Sequence, residues 1–297
     1  LKATASTHKL PAHAAVLATN LAFAANFSFV KMISPRPVAP LAINLLRVGF
    51  SLLLFWLLWL AAKEKQGIKK EHIRRFLLCG LTGVAINQTL FIKGLTLTST
   101  VHASLLTLVT PLVITLFAVW ILKEKLTVAK ACGLLLGIGG AVLLVASKTS
   151  SNSGSNPLLG DTLILINAIS YAGYFILVKP LMQTYSALHV VRWMFTFGLL
   201  FILPFAWADT AAIAWSDLGT GGLGALAFIV VAGTFMAYVF NAYGIRQLGA
   251  ATTGSYIYTQ PVFAVLLAAF FLSETLSWDK VMAAALIFAG VYLVGRK

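Results

Sequence analysis

The chain has 297 residues, 60% of them hydrophobic and 10% charged, with a formal net charge of +14 and a mean hydropathy of +0.92. Soluble globular domains are about 45–50% apolar and about 25% charged, so this composition excludes an ordinary water-soluble fold. The positive charge does not mark a nucleic-acid binder, because the basic residues gather in short loops between apolar runs, as topology determinants and headgroup contacts do.

Within a bilayer no water satisfies the backbone, which leaves helix bundles or closed barrels. A barrel would show short alternating strands. This sequence shows continuous apolar runs near the twenty residues a helix needs to cross hydrocarbon. They predict helices over 13–33, 39–62, 75–95, 99–122 and 126–146, then 160–181, 186–208, 221–244, 249–272 and 277–295. Ala22-Phe23-Ala24 looks like a signal-cleavage site, but the first run is too long for a signal core and has a counterpart later in the chain. Two stretches read as real loops: the charge-dense Lys63 to Arg75, and the polar Lys148 to Pro157. The second divides the chain into halves 1–147 and 158–297, joined by a linker over 148–157.

The halves repeat. A shift of 150 residues carries Gly94 onto Gly244, Pro111 onto Pro261, Glu124 onto Glu274, Leu126 onto Leu276, Lys130 onto Lys280 and Gly140 onto Gly290. Near the starts, Ala24, Phe27, Val30 and Lys31 match Ala172, Phe175, Val178 and Lys179, and Arg47 corresponds to Arg192. Five helices per half would set the second copy upside down in the membrane. The positive-inside rule agrees. With the N-terminus inside, the inner loops carry most of the Lys and Arg. Lys123-Glu124-Lys125 inside becomes Ser273-Glu274-Thr275 outside, the motif kept and its positive charge removed. Both termini then face the cytoplasm. Trp56, Trp59 and Trp120 fall at predicted inner helix ends and Trp207 and Trp278 at outer ones, where indole favours the headgroup boundary.

The stretch Ala103 to Val145, with Pro111, Lys-Glu-Lys-Leu at 123–126 and a Gly-rich closing helix, resembles the EamA repeat of the drug/metabolite transporter superfamily. Its counterpart runs from Thr253 to Gly295, with Tyr-Thr-Gln-Pro at 258–261 and Ser-Glu-Thr-Leu at 273–276. Leu45-Leu46-Arg47 is also similar to that family. The resemblance implies an all-α integral membrane protein of ten transmembrane helices, as two inverted five-helix repeats around a central cavity. It implies transport, not a particular substrate.

Pro111 and Pro261 each remove a backbone donor, predicting paired mid-helix kinks that are either fixed or gating. Arg47 and Arg192 are charges inside apolar runs. They could attract an anionic substrate group, bind helix-end carbonyls, or snorkel toward headgroups. Glu124 and Glu274 lie at helix ends and suit capping of the next helix or a gating ion pair. All eight acids fall in loops or at helix ends, so no membrane-buried carboxylate is expected. That weighs against proton-coupled export of cations. His102 is the only histidine placed to titrate near a cavity.

Polar and aromatic side chains within helices that line the cavity of similar proteins are the candidate substrate contacts: Asn26, Asn87, Gln88, His102, Tyr171, Tyr174, Tyr238, Asn241, Tyr256 and Gln260. Each could also serve as interhelical glue. As a set they suit a neutral, zwitterionic or mildly aromatic metabolite. Gly133, Gly137 and Gly140 mark close helix packing. Cys79 and Cys132 have no disulfide or metal spacing. With no Walker, HExxH or nucleophile-elbow motif, no catalytic residue, metal or cofactor is expected.

The expected function is a secondary transporter exporting amino acids or related small metabolites across the inner membrane by alternating access. An uncoupled facilitator or channel and a multidrug efflux protein are the alternatives. The expected partners are a small-molecule substrate and the lipid bilayer, with a monomer sufficient and no nucleic acid.

Overall fold

Helix covers most of the described part of each apolar run in the computed structural model of the chain, which describes residues 10–61, 67–121, 123, 125–146, 154–248, 253, 256–273 and 277–295. The first half contains α1 (Leu10–Ile33), α2 (Pro40–Ala61), α3 (Lys70–Leu97), α4 (Thr100–Ile121) and α5 (Val128–Ala146). The second contains α6 (Pro157–Thr184), α7 (Ala187–Ala211), α8 (Trp215–Leu248), α9 (Tyr256–Leu272) and α10 (Trp278–Gly295). By length and composition, α1 to α8 can each cross a membrane, and α9 is a shorter apolar helix. Every described regular element is helical.

Local capping explains where several helices begin. Asn156 accepts the Leu159 N–H at 3.2 Å and Pro157 takes the first helical position, so α6 starts before the apolar run does. Ser99 accepts the His102 N–H at 3.0 Å at the head of α4, and Ser186 accepts the His189 N–H at 3.3 Å at the head of α7.

The prolines act differently from the mid-helix kinks the sequence suggests. Chain α4 breaks after Thr107, where Leu108 and Val109 bond back three residues to Leu105 and Leu106. Pro111 is then the second residue of a fresh α-helical segment, Thr110–Ile121. The second half matches: Tyr256–Thr259 is a 3₁₀ turn, and Pro261 is the second residue of Gln260–Leu272. A proline in a first turn removes a donor that has no intrahelical partner anyway, so the break falls before each proline.

The repeat extends to a feature with no sequence signature. Both α3 and α8 widen into a single π-helical stretch, Leu81–Ile86 and Val231–Met236, and the same 150-residue shift relates them. Each stretch carries a glycine, Gly83 or Gly233, under a side chain from the other half. A Cβ on Gly83 would stand 2.7 Å from the Tyr174 ring, and one on Gly233 would stand 2.9 Å from Asn26 Oδ1. Tyr174 and Asn26 are themselves corresponding residues of the two first helices.

Packing crosses between the halves throughout. Helix α1 lies against α8 and α9, α6 against α3 and α4, and α2 against α7. The seam between α5 and α10 is closest at glycines, where a Cβ on Gly290 would meet the Gly133 carbonyl at 2.5 Å and one on Gly140 the Ala283 carbonyl at 2.9 Å. With lipid outside, such close approach supplies association that the hydrophobic effect cannot.

Glu124 and Glu274 lie outside the described residues. Of the tryptophans, Trp120, Trp207 and Trp278 are exposed, as headgroup anchors would be. Trp56 and Trp59 turn inward instead, their ring centroids 4.7 and 4.8 Å from the Arg192 guanidinium carbon.

Candidate functional site: a polar cavity between the halves

A cavity of about 120 Å³ lies where α1, α2, α3, α4, α8 and α9 converge. Its polar wall is Asn26, Arg47, Asn87, Gln88, Thr107, Tyr238 and Gln260, and its apolar wall is Phe23, Phe27 and Phe91. Drug-sized pockets run to about 300–1,000 Å³. The cavity in this conformation therefore suits a metabolite of few atoms.

Several wall groups are held by their neighbours. Gln260 Nε2 donates to Asn20 Oδ1 at 2.8 Å, and Asn20 Nδ2 donates to the Val16 carbonyl at 2.8 Å. Asn87 and Asn167 exchange side-chain-to-carbonyl bonds, 2.7 Å in one direction and 3.4 Å in the other, which pins α3 to α6. The Thr107 hydroxyl donates to the Ser104 carbonyl at 2.6 Å, beside the break in α4. Tyr238 is wedged edge-on against Phe195 and Phe23.

Other groups are left available. Asn26 Oδ1 is buried without a hydrogen bond, and the buried Gln88 amide meets only the Tyr238 hydroxyl, outside ordinary hydrogen-bond geometry. Buried polar atoms are nearly always paired, so orphaned ones on a cavity wall mark where a bound molecule or water completes the set. Arg47 is 5% exposed, donates from Nε to Thr234 Oγ1 at 3.1 Å, and has no carboxylate partner among the described residues. Thr234 in turn donates to the Ile229 carbonyl, five residues back in the widened turn of α8. The π-helical stretch thus presents a hydroxyl to Arg47 and holds it against the cavity.

The candidate contacts separate into two groups. Asn26, Asn87, Gln88, Tyr238 and Gln260 share the cavity wall, together with Arg47. His102, Tyr171, Tyr174, Asn241 and Tyr256 do not line it. Tyr256 meets His13 Nδ1 through its hydroxyl at 2.7 Å, Tyr171 packs on Tyr174, and Asn241 is half-buried on α8. Phe23, Phe27, Phe91 and Thr107 escaped the sequence reading because they are not distinctive as types. The spacing 20, 23, 27 on α1 and 87, 88, 91 on α3 does place the phenylalanines on the faces of Asn20 and Asn87.

His102 belongs to a different cluster, built around a carboxylate near the start of α6 that is buried against protein. Asp161 is 1% exposed in the second turn of α6. Its Oδ2 lies 2.9 Å from His102 Nδ1, and its Oδ1 accepts the Thr98 hydroxyl at 2.6 Å. Because α6 begins at Pro157, Asp161 stands one turn inside the helix and within the bundle, where His102 and Thr98 compensate its desolvation. The cavity wall itself contains no acid among its described residues. The histidine that does line a cavity is His189, which borders a second one with Arg192.

Comparison with known proteins agrees with this architecture. A model of the EamA-like transporter family matches residues 10–146 and again 158–296. An uncharacterized transporter of Archaeoglobus fulgidus is 25% identical over 96% of this chain and 97% of its own length. A WAT1-related protein of Arabidopsis thaliana is 25% identical over 95% and 84%. A probable terminal-alkyne amino-acid exporter of Streptantibioticus cattleyicolor is 27% identical over 78% and 77%. One crystal structure, 19% identical, superposes with a TM-score of 0.56 over 98% of this chain and 96% of that one, which shows a shared fold. With both halves matched by its repeat, this multi-pass membrane protein belongs to the EamA-like transporter family within the drug/metabolite transporter superfamily.

Proposed function

We propose that the protein is a secondary transporter that exports amino acids or closely related metabolites across the inner membrane by alternating access. In this reading ten spans form two inverted halves with both termini cytoplasmic, and one monomer suffices. The observation that carries it is the wall chemistry of the cavity: Arg47, without a carboxylate partner among the described residues, beside the unpaired Asn26 Oδ1 and the Gln88 amide under Tyr238. A carboxylate matches the guanidinium. The amide oxygens accept hydrogen bonds from an ammonium, and the three phenylalanines receive an apolar side chain. The acid-free wall disfavours a cationic drug. The cargo named for the similar probable terminal-alkyne amino-acid exporter is an amino acid, which bears both a carboxylate and an amine.

The direct test is counterflow in proteoliposomes preloaded with a panel of neutral amino acids, amines and carboxylates, with and without imposed pH and sodium gradients. Accumulation of molecules bearing both a carboxylate and an amine is expected. Flux of quaternary ammonium compounds with none for any carboxylate would sink the assignment. Flux that ignores every imposed gradient would favour the facilitator.

A further inference from the structure

A second cavity, of about 170 Å³, lies between the C-terminal half of α2 and the head of α7. Phe55, Leu58 and Leu188 form its apolar side, and Ser186, His189 and Arg192 its polar side. Arg192 corresponds to Arg47 in the repeat but faces away from the central cavity. Its guanidinium sits among the rings of Trp56, Trp59 and Trp193, 4.7, 4.8 and 5.8 Å from their centroids. Ring faces stabilise a cation from above and below, but they accept little from donors in its plane. In that plane Nη2 reaches His189 Nδ1 at 3.2 Å, while Nε has no partner. His189 Nε2 is likewise buried and unpaired. The two side chains are 4% and 6% exposed, and neither is paired with an acid among the described residues.

The surroundings are suited to an anion with an oily tail. The N-terminus of the long helix α7, where Ser186 caps the His189 N–H, lies at this end, and the positive pole of a helix favours an oxyanion. The first α-helical turns of α3, with Arg74 and Arg75, pack on α7, and Lys69 and Lys70 come just before them in the chain. The link is Tyr185, which stacks on His189 at 4.8 Å, accepts the Lys69 N–H at 3.1 Å and meets His72 Nδ1 at 2.9 Å. Immediately around the cavity, Leu57, Leu58, Leu60 and Leu188 are exposed apolar side chains, as acyl chains would require.

We propose that this cavity is a binding site for the headgroup phosphate of an anionic phospholipid. Arg192 Nε and the His189 ring are its donors, and its chains run along the leucines of α2 and α7. Basic pockets between helices on the cytoplasmic side recognise such headgroups by this combination of charge and apolar rim. A soluble phosphate shares the headgroup chemistry but gains nothing from the leucines.

Native mass spectrometry of the purified, delipidated chain tests this by titration with phosphatidylglycerol, phosphatidylcholine and inorganic phosphate. One phosphatidylglycerol should be retained in preference to phosphatidylcholine, and inorganic phosphate should not displace it. Arg192→Gln should weaken that preference by roughly fivefold or more. Leu58→Trp, which fills the apolar side without touching the guanidinium, should weaken it too and decides the matter should Arg192→Gln not fold. Equal retention of both lipids, or an undiminished preference in the variants, overturns the proposal. Displacement by inorganic phosphate at equal concentration assigns the pocket to a soluble anion and overturns the lipid.

Discussion

Arg47 in the second helix of one half donates its Nε hydrogen to the hydroxyl of Thr234, which sits in the π-helical stretch of the other half. The bond ties the charge that faces the central cavity to the π-helical stretch of α8. A conformational change in that turn would therefore move the guanidinium.

Arg47→Gln is expected to raise KM for carboxylate-bearing cargo about tenfold or more, since a charge-assisted hydrogen bond contributes roughly 1.5–3 kcal/mol. The same change removes a buried charge that has no acid partner among the described residues, so the thermal midpoint should hold or rise. Thr234→Val should shift KM less, because the guanidinium remains. Concentration-dependent counterflow and thermal denaturation in detergent measure both. Loss of folded protein with KM unchanged in the remainder would make Arg47 purely structural.

Gly83→Ala should destabilise the protein by about 1–3 kcal/mol, because the new methyl group would stand 2.7 Å from the ring of the buried Tyr174. Gly233→Ala meets the end of the Asn26 side chain instead, which can swing aside. A smaller fall in midpoint with a larger fall in transport is expected there, as Asn26 leaves its place on the cavity wall. Gly139→Ala is the control, with open space where its Cβ would go and no loss expected. Equal midpoints for all three variants would contradict the close packing at the π turns.

Asp161→Ala should cost about 3–5 kcal/mol, the penalty for stranding one partner of a buried pair. His102→Ala should cost less in the background of Asp161→Ala than in the wild type, with a coupling of roughly 0.5–3 kcal/mol. A double-mutant cycle in reversible denaturation gives the value. Strict additivity would mean that the 2.9 Å contact contributes nothing.

Single cysteines in place of Ser155 and Lys70, both exposed, report the orientation in a background lacking Cys79 and Cys132. A membrane-impermeant maleimide added to intact cells should label the first and spare the second. The reverse pattern would invert the assignment of inside and outside.

Hydropathy and span length determine the helices themselves, because a bilayer leaves an apolar run of this length almost no other way to satisfy its backbone. The shift that carries Gly94, Pro111 and Gly140 onto Gly244, Pro261 and Gly290 made the repeat visible before any contact was known. Polar residues in such helices had to face protein. Which ones would share a cavity was not readable, because helices that are apolar on every side carry little signal for their rotation. Asn26 and Asn87 were thus grouped with His102 and Tyr256, which the bundle turns elsewhere.

What the sequence alone decided was local: helical spans, the duplication, and membership in a family of carriers. Tertiary packing decided the rest. It broke α4 and α9 before their prolines, widened α3 and α8 beneath Tyr174 and Asn26, and drew Asp161 inward to His102. It also sent two corresponding arginines to opposite fates, Arg47 to the cavity and Arg192 to a cage of tryptophans. The reason is that a buried charge takes its role from the groups brought beside it, and those groups come from helices far along the chain.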